Sequence, residues 1–185
     1  EETEQLLAAG RSYGLKPMVH ANELGYTGGV QAGVNQQAVS VDHLECTGEE
    51  EIEALKGSRT IPVLLPSTAF FLDIVPPPAR QMADAGLPVA LSTDYNPGSC
   101  PSGNMPFTTA LGCVKLKLLP EESLNAATVN AAHAIELGET HGHISRGAAA
   151  NVFITDEVPS YTFLPYSFGN DHIEEVIVNG KRYQG

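Results

Sequence analysis

Apolar and polar positions along the chain fall into two alternating textures: short apolar runs that end on a polar or ionisable residue, and longer stretches with helical spacing. Thr3–Gly14 reads as a helix, with Leu6, Leu7 and the alanines to one side and Gly14 as its stop. Lys16–Ala21 follows as a short buried strand that carries His20 near its end. Gly28–Asn35 reads as a weak helix, and Ala38–Asp42 as a second strand that ends at His43. Thr47 with Glu50 three residues on has capping-box spacing, which predicts a helix stopped by Gly57. Thr60–Leu65 is a third strand, closed by Pro66-Ser67-Thr68. Pro78–Gly86 is a helix with proline near its start, and Leu87–Ser92 a fourth strand that ends at Thr93-Asp94.

From Leu119-Pro120-Glu121-Glu122 to Leu137 an alanine-rich stretch predicts a long helical region. Beyond it the texture changes. Gly142, Gly147 and Ala148–Ala150 lead into Val152-Phe153-Ile154, and Ile173–Val178 runs into an Asn179-Gly180 turn, so short β-structure is expected there. Strand-helix alternation with apolar strands argues for a parallel sheet with helices outside it. His20, His43 and Asp94 all fall at carboxyl ends of predicted strands. Catalytic groups collect at that edge in a β/α barrel, and ligands bind there in an open doubly wound sheet too.

Composition narrows the function classes. The chain has 185 residues, 42% hydrophobic, enough for an ordinary globular core. Its 22 acidic residues against 10 Lys and Arg give a formal net charge of -12, which disfavours nucleic acid and anionic membrane surfaces as partners. Cys46, Cys100 and Cys113 form no CxxC pair, so a reducing cytoplasm is the expected compartment. No apolar stretch approaches the roughly 18 residues of a membrane span. The start, Glu1-Glu2-Thr3-Glu4, lacks a signal-peptide pattern and an initiator Met, and reads as a fragment or a processed chain.

Three segments carry candidate chemistry. In Lys16-Pro17-Met18-Val19-His20-Ala21-Asn22-Glu23, a strand-ending imidazole can point into a pocket, and Glu23 lies three residues on, in reach of the same substrate. Ser40-Val41-Asp42-His43-Leu44-Glu45 repeats the arrangement one strand later, and His43 suits metal binding or proton handling at an attacking water. In Val89–Ser99, Asp94 offers a carboxylate to a divalent ion and to a water proton, while Asn96, Gly98 and Ser99 offer an amide, an open backbone and a hydroxyl. Each also has a plain structural explanation. His20 and His43 would be hydrogen-bonded core histidines, Glu23 a solvated charge and Asp94 an Asx-turn cap.

His-Ala-x-Glu at His20, Val-Asp-His-Leu-Glu at His43 and Thr-Asp-Tyr-Asn-Pro-Gly-Ser at Asp94 together resemble the imidazolonepropionase family of metal-dependent amidohydrolases. Leu65–Thr68, Thr128–Ala132 and Gly142–Gly147 match in kind, so the resemblance runs roughly from His20 to Gly180. It implies the carboxyl-terminal half of a TIM-like (β/α)8 barrel over residues 1–140, followed by part of a small composite β-sandwich over 141–185. It further implies one divalent metal, zinc or iron, with His20 and Asp94 as ligands. Glu23 would contact the substrate ring or move its protons, His43 would assist the attacking water, and Asn96, Gly98 and Ser99 would line the substrate site. The implied reaction is hydrolytic ring opening of 4-imidazolone-5-propanoate to N-formimidoyl-L-glutamate in histidine degradation. A cytoplasmic homodimer is implied at full length.

The family's other two metal ligands form a His-x-His pair on the first barrel strand. The one such pair here, His141-Gly142-His143, follows Asp94 and reads as a surface loop. Four strands lie between Lys16 and Ser92, where a complete barrel has eight in about 250 residues. The expectation is a partial barrel, inactive alone or in need of a partner. Two other functions stay open: another amidohydrolase acting on a cyclic amide or heterocycle, and a non-catalytic barrel fragment.

Overall fold

A computed structural model describes residues 1–183. Helix α1 (Glu2–Ser12) precedes strand β1 (Met18–Ala21), and α2 (Gly29–Asn35) returns the chain to β2 (Ser40–His43). Helix α3 (Glu49–Lys56) leads to β3 (Ile61–Leu64), then α4 (Pro66–Phe71) and α5 (Ala79–Asp84) lead to the short β4 (Ala90–Leu91). The four strands form one parallel sheet in the order β1-β2-β3-β4, so each strand-helix unit adds the next strand alongside the last. Three helices follow: α6 (Met105–Val114), α7 (Pro120–Ala127) and α8 (Val129–Ala134). Strand β5 (Val152–Thr155), helix α9 (Phe163–Tyr166), β6 (Ile173–Val178) and β7 (Lys181–Arg182) complete the chain, and these strands pair as an antiparallel sheet.

The parallel sheet has two differently covered faces. Val19, Ala21, Val41, Leu64 and Leu91 pack under the helices with Val30, Ile52, Leu55 and Met82. Gly33 lets α2 lie directly on β2, since a Cβ there would stand 2.6 Å from Val41 Cγ1. On the opposite face Ile61, Val63, Leu65 and Ala90 meet Ala131 and Ala134 of α8. Register places Met18, Ser40 and Ile61 in one row of that face and His20, Asp42 and Val63 in the next. Helix α8 covers the β3–β4 part of this face, while Met18 and His20 on β1 remain exposed.

Several elements differ from expectation. The helix expected from a Thr47–Glu50 capping box begins one residue later. Gly48 is its N-cap, Glu51 Oε2 accepts the Gly48 N–H at 2.9 Å, and the buried Thr47 Oγ1 has no hydrogen-bond partner among the described residues. Glu51 also accepts from Gln31 Nε2 at 3.2 Å, a tie to α2 that Glu50, on the exposed side of the turn, does not make. Pro66-Ser67-Thr68 opens α4 rather than merely closing β3, because proline suits the first helical turn. The region from Leu119 to Leu137 is two helices, broken at Thr128 with φ -124° and ψ -83°. Helices α6 and α9 have no counterpart in the sequence reading. The Asn179-Gly180 turn forms as expected, with φ of 50° and 75°.

Candidate metal and hydrolytic site

The carboxyl ends of β1, β2 and β4 carry the ionisable groups, and backbone geometry there is unusual. Asn22 (φ 54°), His43 (φ 80°), Leu44 (φ 70°) and Asp94 (φ 54°) all sit in the left-handed region. Side-chain-bearing residues rarely adopt it, and such strain clusters where a structure must aim functional groups. The strand ends are tied together by Asn22, whose Nδ2 donates to the Cys46 carbonyl at 2.9 Å.

Three of the expected residues converge. His20 Nε2 lies 3.0 Å from Glu23 Oε2, and His43 Nδ1 lies 3.8 Å from Glu23 Oε1. The two imidazole rings face each other obliquely with centroids 4.1 Å apart. Donor atoms of His20, Glu23 and His43 all fall within 4.8 Å of one another, close enough to share one cation. The side chain of His20 is 63% exposed and that of Glu23 only 16%, so His20 is not a core histidine and Glu23 is not a solvated charge. Burial opposes protonation of His43, but the carboxylates of Glu45, Glu23 and Asp94 outweigh it and raise its pKa above the ordinary value.

Asp94 stands two strands away from His43. Its Oδ2 accepts a 2.8 Å hydrogen bond from Thr68 Oγ1 at the start of α4, which holds the carboxylate by one oxygen. It does not cap the following turn. That task falls to Thr93, whose Oγ1 accepts the Tyr95 N–H at 3.3 Å, and to Asn96. Asn96 Oδ1 accepts the N–H groups of Gly98 at 2.9 Å and Ser99 at 2.8 Å, and its Nδ2 donates to the Asp94 carbonyl at 2.7 Å. The amide of Asn96 is therefore engaged within the loop that presents Gly98 and Ser99.

Sequence reasoning passed over Asp42, Thr68 and Glu45. Asp42 lies opposite His20 in the β1–β2 register and beside Asp94 in a cavity of about 330 Å³ that Met18 and Ser92 also line. Burial raises its pKa, and a 2.9 Å hydrogen bond from Ser40 Oγ and the nearby histidines offset this only in part. The alternation of β2 was the signal that could have found it, because Asp42 and Ser40 share one face. A larger cavity, about 890 Å³, opens at the other end of the strands between Thr60, Ile61 and His133, away from these groups. The His141-Gly142-His143 segment is a loop, as expected, and His143 Nε2 lies 3.1 Å from the Gly138 carbonyl.

A parallel α/β sheet with histidines and carboxylates at its strand ends defines a class, and the chain belongs to the amidohydrolase family, whose profile matches residues 17–183. Within it the chain is most usefully set beside imidazolonepropionases. It is 54% identical over 181 residues to those of Christiangramia forsetii and Flavobacterium johnsoniae, matching 98% of this chain and 44% of each relative. The chain thus spans less than half the length of these relatives. Among solved structures, a zinc-bound adenosine deaminase from Xanthomonas campestris superposes with TM-score 0.82 at 19% identity, over 97% of this chain and 48% of that one. A 5-methylcytosine deaminase from Klebsiella pneumoniae, liganded with 5-fluorocytosine, superposes with TM-score 0.80 at 18% identity, over 99% of this chain and 51% of that one. At such identities these two share the fold alone.

Proposed function

We propose that this chain is the carboxyl-terminal part of an imidazolonepropionase, which opens the ring of 4-imidazolone-5-propanoate with water to give N-formimidoyl-L-glutamate. The observation that carries the reading is the convergence of His20, Glu23 and His43 at the carboxyl ends of adjacent parallel strands, with Asp94 at the end of another strand of the same sheet, in a chain 54% identical to imidazolonepropionases. Residues 1–140 form the later units of a β/α barrel, and the domain expected over 141–185, whose last two residues lie outside those described, forms part of a composite β-sandwich. Cytoplasmic location, a place in histidine degradation and a homodimer complete the proposal for the full-length protein.

The donor set fits one divalent metal, zinc or iron. His20 offers an exposed imidazole, and Asp94 a carboxylate with one oxygen held by Thr68 and the other available. His20 and Asp94 would hold the ion from this chain, with further ligands supplied by the rest of the full-length enzyme. The ion, when bound, acts as a Lewis acid and lowers the pKa of water.

The protein's own groups then divide the work. Asp94 accepts a proton from the attacking water as its oxygen bonds to the ring carbonyl carbon. The ring carbon-nitrogen bond breaks, and the leaving nitrogen takes up a proton. His43, flanked by carboxylates, stabilises charge at the carbonyl and orients the water. Glu23 contacts the ring nitrogens and relays their protons. Gly98 and Ser99 line the substrate's place, with Asn96 holding their loop in position.

Hydrolysis of 4-imidazolone-5-propanoate by the full-length enzyme, with and without Asp94→Asn, tests this directly. Metal-dependent turnover that the substitution abolishes is the expected result. A folded, metal-loaded full-length enzyme without turnover would return the substrate to the wider range of cyclic amides and heterocycles.

A further inference from the structure

Glu45 has no part in the chemistry above, yet its placement demands a reason. Its side chain is 3% exposed, and neither carboxylate oxygen has a hydrogen-bond donor among the described residues. A buried carboxylate without a partner is strongly disfavoured, and apolar residues commonly replace such groups without loss of stability. Facing it is His43 Nδ1, 3.7 Å from Oε2, and that nitrogen is likewise buried without a hydrogen bond among the described residues. Glu23 Oε1 faces the same nitrogen at 3.8 Å.

Two carboxylates turned on one ring nitrogen decide where a neutral imidazole keeps its proton. Negative potential at Nδ1 keeps a proton on that nitrogen whether the ring is neutral or charged, so Nε2 is the atom left to face the reacting water. The two carboxylates are not equivalent. Glu23 also contacts the exposed His20 at 3.0 Å and so belongs to the open site, whereas Glu45 is walled off behind His43. Contacts of this kind are often loose without substrate and tighten in the reacting complex. The backbone of His43 lies at φ 80°, so the ring is not held by an ordinary strand end and gains from a second anchor.

We propose that Glu45 is a positioning residue: from behind the site it holds the proton of His43 on Nδ1 and aims Nε2 at the reacting water. This rests on the role given to His43 above and adds the group that sets its tautomer and orientation.

The test is Glu45→Gln in the full-length enzyme, read by kinetics, thermal unfolding and ¹⁵N NMR of labelled histidine, with the His43 signal assigned by His43→Gln. The expected result has three parts. The kcat falls about 10- to 100-fold with KM within about twofold. The melting temperature holds or rises, because an uncompensated buried charge is gone. The His43 signals shift away from the Nδ1–H tautomer. Glu45→Asp recovers part of the activity and of the tautomer, and supplies the comparison if the glutamine variant does not fold. Unchanged kcat, an unchanged tautomer, or a melting temperature that drops in step with activity would each overturn the proposal. Should wild-type enzyme not turn over the imidazolone while Glu45→Gln still shifts the tautomer, the substrate assignment fails and the role of Glu45 stands.

Discussion

Thr68 shows how a single residue prepares a reactive one. It is fully buried at the start of α4, and its hydroxyl donates to Asp94 Oδ2 at 2.8 Å. That bond selects which oxygen faces the site and lowers the rotational freedom of a carboxylate on a strained backbone. Thr68→Val keeps shape and removes the donor. It should cost about 1 kcal/mol of stability, as for a typical lost hydrogen bond. In the full-length enzyme it should lower kcat/KM about 10- to 100-fold, as for other groups that orient a ligand from behind. Thr68→Ser, which keeps the hydroxyl, should stay near wild type. Paired unfolding and kinetic measurements check both, and a fully active valine variant would mean that Asp94 needs no such support. The grouping of His20, Glu23 and His43 was legible because each is an ionisable residue at or just past the end of an apolar run, and Asp94 is proposed on the same ground. Thr68 and Asp42 were not, because a threonine after a proline and an aspartate inside a strand declare their role only when register and chain crossing bring them to the site.

At the scale of elements, strands and the first helices followed from periodicity, whereas helix boundaries turned on particular hydrogen bonds. Glu51 is the instructive case. Its carboxylate closes the start of α3 on Gly48 and reaches across to Gln31 of α2, so one buried side chain fixes both a helix end and a helix pair. Burial pushes its pKa up, but the bonds from the Gly48 N–H and Gln31 outweigh this and leave it below the ordinary 4.5. A depressed folded-state value means that the contribution is complete above the unfolded pKa and is lost as pH falls through the folded one. Glu51→Gln should therefore be less stable than wild type at neutral pH, with the gap narrowing as pH drops below about 4.5. Urea unfolding of both proteins across that range checks the sign, and a gap that widens in acid would contradict it. Helix α6 escaped notice for the opposite reason. Met105–Val114 is almost wholly apolar, with Thr108, Thr109, Ala110, Leu111 and Gly112 all buried, so no polar face marked its period. The Thr128 break was hidden because the alanines around it, Ala126, Ala127, Ala131 and Ala132, carry a helical reading straight across it.

For the molecule as a whole, the two faces of the parallel sheet are the informative contrast. The helix-covered face is a finished core, and the other is finished only where α8 lies on β3 and β4, leaving Met18 and His20 of β1 open. The metal-competent groups sit at that open side. Amidohydrolase membership could be read from their order along the chain, while the distances between them could not, since they depend on left-handed turns at His43 and Asp94 that no periodicity announces. The proposed ligand assignment has a consequence for metal retention. His20 and Asp94 alone form a two-donor set, and stable zinc sites take three or four protein ligands. The 185-residue chain should thus lose its metal on dialysis, whereas the full-length protein should retain about one ion per chain, and Asp94→Asn should lower that retention. Elemental analysis after exhaustive dialysis decides the matter. If the short chain alone keeps an ion, and keeps it after Asp94→Asn but not after Glu23→Gln, the ligands are His20, Glu23 and His43, whose donor atoms already lie within 4.8 Å of one another, and Asp94 acts on protons only.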